Sequence, residues 1–509
     1  MSSYVPPPEV MASGKSSIGG LFRSYALVEP SRVAVTDGER SVTYAELDQR
    51  SNRLAQALIG LGLERGDRLA LLARNCVEYI EIELAAAKAG IILAALNWRL
   101  GDRELRHCIE LVEPKALIVQ PDLGQALDRL DLPERPRIVI GEEYEGRISA
   151  APELYPDVAI DPEDGLVILY TSGTTGMPKG ALISHRAMIA RALCMSAEVA
   201  HPVGDHFVAW PPLYHMASTD VSLATLLRGG TVHVVDGYLP DRIIDIIEAV
   251  PVHFLVLIPG MVRQFYEALQ RRQAKVKSIG VCGAMADLVP RQDIADVTRY
   301  LNAPYLNTFG ATETGLPPAT GSTIPVGVAP TALSKRQSAF CDLRLVDPDD
   351  NDVPIGTPGE VALRGPTLFS GYWNADETNA HDFRNGWFHM GDVLRRNADG
   401  SLDYVDRVKY MIKSGGENIY PAEIEQVLIK DHRVSEAVVV RRSDERWGEV
   451  PVAFVVRSDQ SLTADELYDI CRADLSTYKR PKDIIFLEDA DLPRSTSGKV
   501  QRYALEERL

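Results

Sequence analysis

The sequence predicts an α/β protein with a large N-terminal domain and a small C-terminal one. The large domain is read as layered, largely parallel sheets carrying a small β-barrel-like subdomain, and the small domain as α+β. Three features carry this reading. The chain has 509 residues, too many for one hydrophobic core. Short apolar runs alternate with helical stretches as far as Cys282. The texture changes after Pro330 and again near Asp406.

In order along the chain, Met1 to Gly20 is polar and rich in Pro, Gly and Ser. It lacks the basic-then-apolar pattern of a signal peptide and is expected to be a loose arm. Thr43-Tyr44-Ala45-Glu46 is a capping box. Leu47, Leu54, Leu58 and Leu61 continue it at helical spacing, and Gly62 supplies the stop. Strands are expected at 68–72, 116–119, 138–140, 166–170, 231–235, 254–258 and 279–282. Helices are expected at 184–197, 241–249 and 261–274. The apolar stretch at 84–96 is broken by Lys88 and is too short to span a bilayer, so no transmembrane segment is predicted. Beyond Pro330 the runs 343–346, 360–363 and 402–405 are separated by turns such as Pro358-Gly359 and Asp399-Gly400. A Gly-Gly turn at 415–416 and a helix opening at Pro421 begin the last domain. The boundary is drawn between residues 1–406 and 407–509.

The net charge of −17 argues against a nucleic-acid surface. An anionic substrate must therefore meet local positive groups. The six cysteines are scattered without a CxxC pair, which suggests reduced thiols in a cytoplasmic protein rather than zinc or disulfides.

Residues 170–180, Tyr-Thr-Ser-Gly-Thr-Thr-Gly-Met-Pro-Lys-Gly, follow the apolar run 166–170. Gly173 and Gly176 let successive N–H groups turn toward one anion. Thr171, Ser172, Thr174 and Thr175 add hydroxyls, and Lys179 adds a charge. The segment suits a polyphosphate, but it is not the Walker form, because Pro178 precedes the Lys and no Ser/Thr follows it. Four further segments carry chemistry. In 307–313, Glu313 can hold Mg²⁺ on a phosphate and Phe309 can stack on a base; the plain alternative is a helix start. In 387–392, Asp392 can accept two ribose hydroxyls or simply stabilise its own turn. The charged, Gly-containing stretch 406–421 suits a hinge or a solvated linker. In 493–499, Lys499 is a catalytic cation or a solvated one.

Together, in this order and spacing, the five segments resemble the adenylate-forming superfamily of acyl- and aryl-CoA synthetases, adenylation domains and luciferases. The resemblance runs from about residue 20 to the end of the chain. It implies an acid–CoA ligase that forms AMP: a carboxylate attacks the α-phosphate of MgATP, and the thiol of coenzyme A then displaces AMP. It implies that Thr171, Ser172, Gly173, Thr174, Thr175, Gly176 and Lys179 hold the outer phosphates, that Glu313 ligates Mg²⁺ and that Thr312 contacts the α-phosphate. Gly283, Ala284 and Phe309 would frame the adenine; the family usually has Tyr at the place of Phe309, so stacking survives and a hydroxyl contact does not. Asp392 would take the ribose, with Arg407 nearby, and Lys499 would bridge the acid to ribose or phosphate oxygens.

The same resemblance makes Lys409 the hinge of a mobile C-terminal domain. Gly415 and Gly416 would line a pantetheine tunnel, Trp447 would pack on CoA, and Arg480 and Lys482 would contact its nucleotide; for the last two the alternative is ordinary surface charge. The acid would lie among His215, Met216, Ala217, Cys282, Gly310, Thr314, Gly315 and Leu316, mainly small or apolar groups that favour an aromatic or medium-to-long aliphatic acid. His215 is either the gate beside the carboxylate or a buried structural histidine. The Phe-Asp pattern of amino-acid-activating relatives is missing, although Asp220 lies a few residues on. A stand-alone enzyme loading a carrier-protein thiol, and a nucleotide-binding protein without ligase activity, are the competing readings. Dimerisation is a family habit.

Overall fold

The computed structural model describes residues 16–171, 177–287, 289–415, 417–494 and 500–509. The chain divides into two compact units, Met1–Asp342 with Arg364–His381, and Leu343–Leu363 with Asp382–Leu509.

Among the described residues the first unit contains four sheets, one of them the two-stranded pair Phe309–Ala311 with Gly315–Ala319. The largest has strands in the order Arg137–Val139, Ala116–Val119, Arg68–Leu72, Ile92–Ala95, Gly165–Thr171 and Lys179–Ser184. All its pairs are parallel except the last. Ala116–Val119 and Ile92–Ala95 are buried along their whole length, which is why they read as unbroken apolar runs. A second sheet joins Ser41–Thr43, Val33–Thr36, Thr231–Val234 and His206–Ala209. A third joins Val252–Leu255, Ile279–Cys282, Tyr305–Leu306 and Thr323–Ile324.

The capping box forms: Thr43 Oγ1 accepts from the Glu46 N–H, and Glu46 Oε2 accepts from the Thr43 N–H at 2.8 Å. The Tyr44–Gly60 helix it starts buries Leu47, Leu54 and Leu58. The apolar stretch at 84–96 resolves into the end of the Val77–Ala89 helix and the strand Ile92–Ala95. Lys88 interrupts it without reaching water. Its ammonium is buried against Asp48 at 2.6 Å, with Ser51 and Asn52 each at 2.8 Å. Among the described residues no helix is long and apolar enough to cross a membrane.

The second unit holds an antiparallel run of strands Pro358–Arg364, Phe388–Arg396 and Leu402–Arg407, with Asp342–Val346 at its edge. Its other sheet is ordered Glu417–Ile419, Ile412–Ser414, Gly448–Arg457, Val434–Asp444, with Asp483–Leu487 parallel to Gly448–Arg457. Helices Pro421–Leu428 and Ala464–Asp474 cover it, and Ile412, Ile424, Leu428, Val439, Val455 and Leu467 pack between. Residues 406 and 407 lie inside this unit, at the passage from one sheet to the other.

Candidate active site

Four expected site segments leave the carboxyl ends of parallel strands: the loop after Thr171, the 210–215 loop after Ala209, Gly283 after Cys282, and the 307–309 turn after Leu306. Ligands of open α/β sheets bind at such ends. Two side chains absent from the sequence reading tie the 210–215 loop to its neighbouring strand ends. Asn75 donates to Pro211 O at 2.9 Å and Val235 O at 3.0 Å and accepts from the Leu213 N–H at 2.8 Å. Trp210 Nε1 donates to Val256 O at 2.9 Å.

The 170–180 segment closes a hairpin, because Thr171 pairs with Lys179 across antiparallel strands. Ser172 to Gly176 lie outside the described residues. The Lys179 ammonium sits 4.5 Å from the centre of the Tyr372 ring. The Tyr372 hydroxyl donates to Glu313 Oε1 at 2.8 Å. Tyr372 thus joins the loop's cation to the carboxylate expected to bind Mg²⁺. It reaches this place because residues 370–373 run beside Lys179–Ser184: the Ser370 N–H donates to Leu182 O at 2.7 Å and the Trp373 N–H to Gly180 O at 2.8 Å. Sequence reasoning missed Tyr372; an aromatic pair directly after Gly371 was the available signal. Among the described residues no three His, Cys, Asp or Glu side chains gather as a metal cage. A single held carboxylate beside the loop expected to hold phosphate is a donor set that suits Mg²⁺, since that ion keeps waters and substrate oxygens for its other positions. Glu313 fits that ion.

Thr312 and Glu313 lie in a hairpin, Phe309–Ala311 with Gly315–Ala319, rather than at a helix start. Arg191, buried and also missed in the sequence, fixes it. Its guanidinium donates to Thr312 O at 2.9 Å, Thr367 O at 3.0 Å and Asp220 Oδ2 at 3.1 Å. Asp220 is therefore an internal partner of Arg191; burial raises its pKa and Arg191 opposes the rise. Phe309 is buried. Gly283 has φ +81°, and a Cβ there would stand 2.2 Å from the Tyr305 ring, so the backbone that would face adenine admits no side chain.

On the acid side, His215 is exposed and caps the Met216–Leu226 helix, its Nδ1 accepting from the Ala217 N–H at 3.2 Å. It is not a buried structural histidine. Met216, Ala217 and Leu316 are half-buried and Gly310 is exposed, whereas Gly315 is buried. Cys282 is fully buried, and burial pushes its thiol up to about 12. Thr314 is also fully buried; its hydroxyl accepts from the Ala311 N–H at 3.0 Å and so braces the hairpin.

In the second unit Asp392 and Arg407 are partners across antiparallel strands, with Arg407 Nε donating to Asp392 Oδ1 at 2.9 Å. Lys409 is exposed on the short turn Val408–Tyr410, and Ala284, in the first unit, is half-buried. Gly415, φ +59°, lies under the Trp447 indole, which a Cβ would meet at 2.7 Å; its N–H donates to Trp447 O at 2.8 Å. Gly415 and Trp447, two of the residues expected at the CoA path, are thus neighbours. Arg480 is directed at backbone, donating to Leu475 O at 3.0 Å and Arg472 O at 3.1 Å where the Ala464–Asp474 helix ends. Lys482 is exposed. Gly416 and Lys499 lie outside the described residues.

Residues 22–373 match the AMP-binding enzyme family, and residues 423–499 match the AMP-binding enzyme C-terminal domain. Feruloyl-CoA synthase of Amycolatopsis sp is 35% identical over 495 residues, covering 95% of this chain and 97% of that protein. Indoleacetate–CoA ligase of Aromatoleum aromaticum is 33% identical over 494 residues, covering 94% of this chain and 95% of that protein. The solved o-succinylbenzoate CoA synthetase from Bacillus subtilis, in complex with its acyl-adenylate intermediate, superposes with a TM-score of 0.82 at 25% identity, covering 96% of this chain and 97% of that one. The chain belongs to the AMP-binding enzyme family, in the acid–CoA ligase branch of the adenylate-forming superfamily. Its reactants beside the acid are ATP with Mg²⁺ and coenzyme A.

Proposed function

We propose that the enzyme activates an aromatic carboxylic acid, passing it through an acyl-adenylate to coenzyme A. The observation that carries this reading is the Lys179–Tyr372–Glu313 cluster, a cation and a carboxylate held on one aromatic ring at the end of the phosphate loop. The choice of an aromatic acid draws on the small and apolar groups around Met216 and Ala217, and on the named acids of the relatives. Feruloyl and indoleacetate are both aromatic.

Acid and triphosphate are both anions, so the first half-reaction needs positive charge set in place beforehand. Lys179 and the 171–176 loop hold the outer phosphates, which leave as pyrophosphate. Thr312 contacts the α-phosphate, and Glu313 holds Mg²⁺ with Tyr372 fixing one of its oxygens. When bound, Mg²⁺ neutralises phosphate charge as a Lewis acid. Gly283, Ala284 and Phe309 frame the adenine, and Asp392, oriented by Arg407, accepts the ribose hydroxyls. His215 borders the acid's carboxylate, and Lys499 neutralises it during attack. Residues 407–509 then turn about Lys409, and the Gly415–Trp447 surface receives the pantetheine arm. Arg480 contributes through the fold of that surface and Lys482 through its charge.

A panel of aryl and alkyl carboxylic acids of matched length, with ATP, Mg²⁺ and coenzyme A, tests the reading by AMP and thioester release. Aryl acids are expected to be preferred; an alkyl preference would overturn the substrate class. One relative, the fatty acid–[acyl-carrier-protein] ligase ScoC of Streptomyces coeruleorubidus, is 30% identical over 501 residues and favours a second reading, a carrier-protein thiol as acceptor. AMP release with hydroxylamine but never with coenzyme A would select it.

A further inference from the structure

The Val77–Ala89 helix carries Tyr79 and Glu83 one turn apart, and each is only 1% exposed. Neither the Tyr79 hydroxyl nor either Glu83 carboxyl oxygen has a hydrogen-bond partner among the described residues. The same holds for Ser218 Oγ, Ser222 Oγ and Asp220 Oδ1 on the Met216–Leu226 helix. The two groups are electrostatically linked, because the Asp220 charge on the second helix adds to the rise of Glu83 on the first. Proteins pair nearly all their buried polar atoms, so unpaired oxygens collected from two helices mark the place of a missing hydrogen-bonding group.

The cluster lies next to the candidate acid pocket. Asn75, just ahead of the Val77–Ala89 helix, binds Pro211 O and the Leu213 N–H, which brings the helix's first turn, with Tyr79, beside the segment that holds Tyr214 and His215. Asp220 follows Met216 by one helical turn on the same face, about 6 Å further along. Its other oxygen is held by Arg191, which also holds the backbone of Thr312.

We propose that Glu83 and Tyr79 form the far end of the acid pocket and bind a hydroxyl or N–H group on the distal side of an aromatic acid. The proposal rests on the aromatic-acid reading and narrows it. An unsubstituted ring or alkyl tail would leave these oxygens unpaired in the complex. Burial pushes Glu83 up to about 8. Near neutral pH it is then held mainly as a carboxylic acid, able to donate to a hydroxyl and accept from it. A cationic amine finds no free anion there, because Asp220 already faces Arg191.

The test compares benzoate, phenylacetate and cinnamate, each with and without a para-hydroxyl, by kcat/KM for AMP release. On the best framework the wild-type enzyme should favour the hydroxylated acid at least about tenfold. In Glu83→Leu that ratio should fall toward one, and Glu83→Gln should keep part of it. A wild-type ratio of one or below overturns the proposal whether or not either variant folds. So does an unchanged ratio in a folded Glu83→Leu. Equal use of both members of each pair would sink the distal-group proposal and leave the aromatic reading standing, whereas no AMP from any aromatic acid would sink the aromatic reading itself.

Discussion

Tyr372 is the side chain whose loss should separate its two neighbours. Tyr372→Phe keeps the ring beneath Lys179 and removes the hydrogen bond to Glu313. Adenylation, measured by acid-dependent ATP–pyrophosphate exchange, should fall about tenfold or more, since a hydrogen bond to a charged group is involved. The Mg²⁺ concentration needed for half the rate should rise. An unchanged rate and Mg²⁺ dependence would show that Glu313 needs no such anchor. Glu83 supports a second residue-level prediction. Its folded pKa, about 8, lies above its ordinary 4.5 because of burial, with the Asp220 charge adding to the rise. Its contribution to stability is full below pH 4.5 and is lost as pH rises through 8. Glu83→Gln removes that titration, so the variant's Tm should gain on the wild type between pH 5 and pH 8. A gap that stays constant or narrows would contradict the assignment. Lys179, Glu313 and Asp392 can be singled out in the sequence as candidates because each sits in a dense local motif. Tyr372, Arg191 and Asn75 were not, because their roles arise from partners 59, 121 and 136 residues away respectively.

At the scale of elements, the sequence shows most clearly what is local. The Thr43 capping box formed as read, and the buried parallel strands stood out as apolar runs. The strand Lys179–Ser184 did not stand out. Its six residues include Gly180, and it becomes a strand by pairing with Gly165–Thr171 and with residues 370–373. The hairpin bearing Thr312 and Glu313 likewise depends on Arg191, which is anchored in another helix. Arg191→Met should leave Asp220 buried without its partner, at a cost of about 3 kcal/mol in chemical denaturation. Adding Asp220→Leu should restore much of that loss, because no unpaired charge then remains. Should the double variant be as unstable as the single one, the loss comes from Arg191's bonds to Thr312 O and Thr367 O and not from an unpaired Asp220.

For the whole molecule, length and texture foretold an α/β body and a smaller α+β end. By packing, Leu343–Leu363 and Asp382–Leu509 form one compact unit. Sequence order cannot reveal that grouping, because it depends on the sheet that Phe388–Arg396 shares with Pro358–Arg364 and Leu402–Arg407. The net charge of −17 makes local cations necessary for two polyanionic reactants, and Lys179 and Lys482 lie in segments proposed to meet them. The central claim is that one chain carries out both half-reactions on an aromatic acid. The most direct measurement is a stepwise turnover. Enzyme, ATP, Mg²⁺ and an aryl acid are mixed without coenzyme A, and coenzyme A is then added. The account predicts bound acyl-adenylate with one equivalent of pyrophosphate in the first step, then AMP and aryl-CoA in equal amounts in the second. Release of ADP and phosphate, or AMP formed without thioester after coenzyme A is added, would contradict it.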